Sequence, residues 1–146
     1  MPDEGEKLFA SGLEALAAHN TLSALVLFEK AVAKEDRPVY SSHLAYCVAK
    51  ERGQFQLAVT LCEKAIARDP RTPVHYLNLG KIFLLAGKQA EAVRTFREGL
   101  ASEKDQRLVD ELDRLQTRKP QVFSFLSRDN PINRVLGKVL KKTGLR

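Results

Sequence analysis

Apolar residues along this chain recur at spacings of three and four, the period of a helix with one dry face, and the pattern restarts at a fixed interval. In 73-PVHYLNLGKIFLLAGKQAEAVRTFREGL-100 two such stripes flank a short break at 86-AGK-88. Sliding the chain against itself by 34 residues aligns Gly12, Tyr46 and Gly80, then Ala15, Ala49 and Phe83. His19, Gly53 and Gly87 coincide in the break. Ala24, Ala58 and Ala92 follow, then Phe28, Cys62 and Phe96, then Ala31, Ala65 and Gly99. A period of this length predicts a stack of helix hairpins, each burying its apolar faces against its neighbours.

The small residues have a packing reason. Helix axes approach to about 8–10 Å only where the contact positions allow it. Gly12 and Gly80 on the first helices, and Ala24, Ala58 and Ala92 on the second, supply those low points, with Phe28 and Phe96 as the large knobs beside them. The turns at 86-AGK-88 and 19-HNT-21 place Gly or Asn where a left-handed residue ends the first helix.

These residues resemble the motif of the tetratricopeptide repeat family. The third unit matches best, through Tyr76, Leu79, Gly80, Phe83, Gly87, Ala92 and Phe96. The second carries Ala45, Gly53, Ala58, Ala65 and Pro70, with Tyr46 in place of the small residue and Cys62 in place of the aromatic. The first carries Leu8, Gly12, Ala24, Phe28 and Ala31, with Ala15 in place of an aromatic. The resemblance implies an all-α, right-handed superhelical solenoid with units at about 5–38, 39–72 and 73–106. A capping helix over 102–118 completes a first domain, 1–118. Ser102 and Asp105 read as its capping box, and Leu108, Val109, Leu112 and Leu115 form its apolar stripe.

The remainder, 119–146, is expected to be a separate basic extension. Its stretch 119-KPQVFSFLSRDNP-131 offers Val122, Phe123, Phe125 and Leu126 for docking or partner contact. Asn130 and Pro131 then open a short amphipathic helix whose stripe is Ile132, Val135, Leu136, Val139 and Leu140. Charge sharpens this division. Residues 1–106 hold 14 Lys and Arg against 14 Asp and Glu, whereas 107–146 hold 10 against 4, which accounts for the net charge of +6.

Composition excludes several classes. Apolar residues make up 44% and charged residues 29%, an ordinary globular balance. No apolar run nears the roughly 18 residues that cross a bilayer, and MPDEGEKLFASG does not read as a signal peptide. Cys47 and Cys62 are too few for a disulfide framework and read as buried thiols of a cytoplasmic protein. No nucleophile motif is present, so no enzyme and no cofactor are expected. His43, Cys47 and Glu51 share one helix face, but three such ligands span about 12 Å, too far to converge on one ion; two of them with His75 from the next unit could do so, though the coordination geometry is demanding. No metal site is expected.

In the family the first helix of each unit faces a concave groove. The resemblance therefore implies a peptide-binding lining of Phe9, Leu13 and Leu16 from the first unit, and Tyr40, His43, Leu44, Cys47 and Lys50 from the second. Leu77, Asn78, Lys81 and Leu84 complete it from the third. One subfamily, the cochaperones, clamps the terminal carboxylate of chaperone tails with Lys, Asn and Arg. The corresponding places here hold Phe9, Leu13, Leu44, Val74 and Asn78, so carboxylate clamping is not expected. The expected function is a non-catalytic adaptor that binds an apolar peptide or helix, a protein partner and no small-molecule substrate, with the chain's own tail as a regulator. The alternative is a basic tail helix that associates with an anionic membrane surface or nucleic acid. Five tail cations at about 1 kcal/mol each make the membrane term weak, and the tail lacks aromatics interleaved with cations for base stacking.

Overall fold

The computed structural model describes residues 1–123, with side chains described as far as Gln116. Among the described residues seven helices follow one another: α1 Glu4–Ala17, α2 Thr21–Lys34, α3 Pro38–Arg52, α4 Phe55–Arg68, α5 Pro73–Leu85, α6 Gln89–Ser102 and α7 Gln106–Phe123. No strand occurs among the described residues. Tail residues Phe125, Leu126, Ile132, Val135, Leu136, Val139 and Leu140 lie outside them, as do the side chains of Val122 and Phe123.

Local chemistry sets the helix ends. Asp3 accepts from Glu6 N–H at 2.7 Å and Asn20 from Ser23 N–H at 3.2 Å, each satisfying an orphan donor of a first turn. Pro38 and Pro73 open α3 and α5, where the missing N–H costs nothing. Inside the hairpins the chain turns at His19, Gly53 and Gly87, with φ of 61°, 65° and 76°. The left-handed residue of the first turn is therefore His19. Asn20 instead caps α2. After it, Asn20 N–H reaches back to Ala15 O at 2.8 Å, and Lys88 N–H likewise to Phe83 O at 2.8 Å, closing the orphan carbonyls.

Residues 1–110 form one compact unit and residues from 111 onward a second. In the first, each helix packs on its sequence neighbour within a hairpin, α2 packs on α3, α4 on α5, and α3 directly on α5. The core is shared between hairpins. Ala24, Leu25 and Phe28 meet Cys47 and Val48, while Ala45, Ala49, Ala58 and Cys62 meet Leu79 and Ile82.

Close approach is physical at Gly12 and Gly80. A Cβ on Gly12 would stand 2.3 Å from Phe28 Cε1, and one on Gly80 would stand 2.0 Å from Phe96 Cε1. The second unit reverses the sizes. By the 34-residue register Cys62, fully buried, takes the place of the ring and Tyr46 that of the glycine. The Tyr46 ring lies half-buried, with the Lys81 ammonium 5.8 Å from its centroid.

Two expectations beyond the third unit are corrected. Ser102 ends α6, and Asp105 caps α7, accepting from Arg107 N–H at 2.9 Å. Helix α7 also runs through Pro120 to Phe123 rather than ending at 118. Its first turn seats Leu108, fully buried, against Gly99 beside Tyr76. In the second unit Arg114 pairs with Glu111 one turn earlier.

Candidate functional site

The expected groove residues lie on α1, α3 and α5. Phe9 joins the first two helices: its ring lies 4.8 Å from that of Tyr40 and 5.1 Å, edge-on, from that of His43. Phe28 closes the cluster from below, 5.6 Å from Phe9 and 5.5 Å from His43.

The structure sorts the expected lining by depth. Leu13 stands 39% exposed, Lys50 is exposed, and Phe9, Leu16, Leu44, Lys81 and Leu84 are half-buried. His43, Leu77 and Asn78 form the floor, retaining 9%, 6% and 5% of their surface. Tyr40 and Cys47 are corrected, because both are sealed in the core at 1% and 0%. At those positions the neighbouring hairpin covers the helix flank, so neither offers surface to a partner. Tyr40 instead carries the Arg37 guanidinium 5.4 Å from its ring centroid, and Arg37 reaches Asp3, Glu6 and Glu35.

Burial pushes the His43 imidazole down to about 4, against the opposing effect of its bond to Val39 O, and the positive charges of Arg107 and Lys81 push the same way. At neutral pH the ring is uncharged. Its Nδ1 lies 2.9 Å from Val39 O, a carbonyl that can only accept, so Nδ1 carries the hydrogen.

Beneath the floor runs a polar chain that sequence reasoning missed. His75, fully buried, sets Nδ1 2.9 Å from Ser42 Oγ and Nε2 3.3 Å from Asp69 Oδ2. Thr72 Oγ1 donates to the same carboxylate oxygen, and Asn78 Nδ2 donates to Ser42 Oγ at 3.4 Å. The Thr72 and His75 bonds hold the Asp69 carboxyl below its usual range, so Asp69 is an acceptor and His75 Nε2 must donate. Burial holds the His75 imidazole down in turn. Its Nδ1 is therefore a lone pair that takes the Ser42 hydroxyl proton. No single stretch of sequence shows this, because Ser42, Asp69 and His75 come from α3, the α4–α5 turn and α5.

Serine, histidine and carboxylate in a row invite comparison with a nucleophilic triad. Ser42 is fully buried, so no substrate carbonyl reaches its Oγ, and the chain ties hairpins together. His43 and His75 each spend a ring nitrogen on protein, and Cys47 and Cys62 lie inside, their thiols raised by burial, Cys47 to about 12.

No protein-family model matches the chain. Its fold has solved counterparts. The Sgt2 TPR domain from Aspergillus fumigatus superposes with a TM-score of 0.67 at 21% identity, over 89% of this chain and 87% of that one. The first TPR of Spaghetti (RPAP3), solved bound to the HSP90 peptide SRMEEVD, gives 0.63 at 18% identity over 80% and 96%. The Arabidopsis OM64 TPR domain gives 0.61 at 23% identity over 77% and 94%. Three hairpins in 34-residue register, with glycine at the first and third crossings, and these superpositions make the fold of this chain that of a tetratricopeptide repeat domain.

Proposed function

We propose that the chain is a non-catalytic interaction module whose α1/α3/α5 face holds an apolar peptide or helix of a protein partner. The observation that carries this reading is the row of large apolar side chains left partly in water on one face. Leu13 is 39% exposed on α1, Phe9, Leu16 and Leu44 are half-buried against one core cluster, and Leu84 is half-buried on α5. Contiguous apolar surface of this kind marks a binding site. The Spaghetti domain holds a chaperone peptide on the same fold. Here the places of a carboxylate clamp carry Phe9, Leu13, Leu44, Val74 and Asn78, which points to an apolar ligand instead.

The test is affinity capture with wild-type chain beside Leu13→Ala and Leu44→Ala variants, followed by mass spectrometry. Partners that disappear from both variants, while far-UV circular dichroism is unchanged, support the reading. Partners retained at wild-type levels on both refute it. The surplus of basic residues in 107–146 motivates a second reading, in which the tail brings the module to an anionic surface. Binding to phosphatidylserine vesicles that vanishes without residues 131–146 and falls steeply with salt would select it.

A further inference from the structure

We propose that this face selects a neutral hydrogen-bond donor set within an otherwise apolar partner segment, read by two acceptors, His43 Nε2 and Asn78 Oδ1. The proposal rests on the reading of the face as a peptide-binding surface and specifies what that surface recognises.

Both acceptors follow from the bonding beneath them. Val39 O holds the hydrogen of His43 on Nδ1, which leaves Nε2 as a lone pair. Asn78 is oriented by the buried chain. Asp69 requires the His75 hydrogen on Nε2, His75 Nδ1 takes the Ser42 proton, and Ser42 Oγ is left to accept. The Asn78 amide must therefore present nitrogen to Ser42, as the 3.4 Å contact has it, and turn Oδ1 away. His75 and Ser42 are thus positioning residues for Asn78.

Neither acceptor has a partner among the described residues. Nor is either sealed, since Tyr40 Oη is the one buried side-chain nitrogen or oxygen without a partner there. A partner that covers the floor with hydrocarbon alone strands two lone pairs, so an apolar segment lacking a donor binds more weakly. A carboxylate brings more lone pairs and no hydrogen. A cationic donor needs an acid to balance it, and Glu6, the nearby acid of α1, is engaged by Arg37. A hydroxyl of Ser, Thr or Tyr is neutral and satisfies one of the two acceptors, and the two hydrogens of an Asn or Gln amide can satisfy both.

The experiment pans a phage-displayed library of random peptides on the full chain and keeps the clones whose binding is lost on a Leu44→Glu variant with unchanged circular dichroism. These clones are expected to carry one Ser, Thr, Tyr, Asn or Gln at a fixed place among apolar residues. In a synthetic peptide from such a clone, replacing the donor by its apolar isostere, Thr by Val for example, should raise Kd about tenfold. The same replacement should cost less than about twofold on a His43→Phe, Asn78→Leu variant. Leu44-dependent clones enriched in acidic or basic residues, or with no polar residue at all, overturn the proposal while the peptide-binding reading stands. So does an equal loss on wild type and variant. Absence of any Leu44-dependent clone overturns both. The library composition is read on wild-type protein, so instability of the double variant does not decide the outcome.

Discussion

Gly80→Ala tests the account of how the hairpins close, because the structure predicts that its sign depends on one other residue. The added methyl would lie 2.0, 2.5 and 2.6 Å from Cε1, Cζ and Cδ1 of Phe96. Phe96 is fully buried, so the ring edge has nowhere to retreat. Overpacking costs about 1–3 kcal/mol, and a whole ring edge in conflict puts this site at about 3. Alanine in a helix interior returns about 1 kcal/mol relative to glycine, for a net loss of about 2. Phe96→Cys alone should cost about 3–5 kcal/mol through lost burial and a cavity. With the ring gone, only the helix-propensity gain remains, so Gly80→Ala should stabilise the Phe96→Cys background by up to about 1 kcal/mol. The coupling between the two sites is then about 3 kcal/mol. Urea unfolding followed by far-UV circular dichroism measures all four corners of the cycle, with equal m-values as the control for two-state behaviour. An equal loss from Gly80→Ala in both backgrounds would refute the packing account. The second unit, with Tyr46 opposite Cys62, already carries the exchange in sequence.

Other consequences follow from the buried polar and thiol groups. The folded state holds His43 at about 4 and lowers His75 as well, so their contribution to stability is complete above the unfolded value of about 6.5 and declines as pH falls from there towards 4. His43 alone should remove about 3 kcal/mol across that window, and urea midpoints at pH 7.5, 5.5 and 4.5 should flatten in His43→Phe; an unchanged slope would be inconsistent with a buried neutral ring. Both thiols should resist Ellman's reagent at pH 8 in native protein and react fully in urea, since burial raises both; fast native labelling of either would place it at the surface. Ala58→Leu and Ala92→Leu, both at fully buried helix crossings, should each lower stability by about 1–3 kcal/mol in the same urea assay, and a neutral result would mean the crossings are loose.

Much of the architecture was legible before any coordinates. Helices and turns are local events: an apolar stripe at spacings of 3 and 4, and Gly87 with positive φ in its break, whereas in the first break His19 rather than Asn20 takes the left-handed place. The ends of α6 and α7 were misread, because Ser102 and Asp105 both have cap chemistry and only the packed chain chooses between them.

Tertiary structure decided the site. Helical periodicity assigns a residue to a face of its own helix, but α3 and α5 have neighbours on several sides, and α5 is buried at every residue from Val74 to Gly80. Tyr40 and Cys47 therefore shared a stripe with Leu44 and yet went into the core. The Ser42–His75–Asp69 chain, and the direction in which it turns Asn78, exist only once segments more than 25 residues apart are packed together, because a hydrogen bond needs its partner within about 3 Å and sequence spacing carries no such distance. The 34-residue register was written in the chain; which side chains it leaves accessible was settled by what each helix leans against.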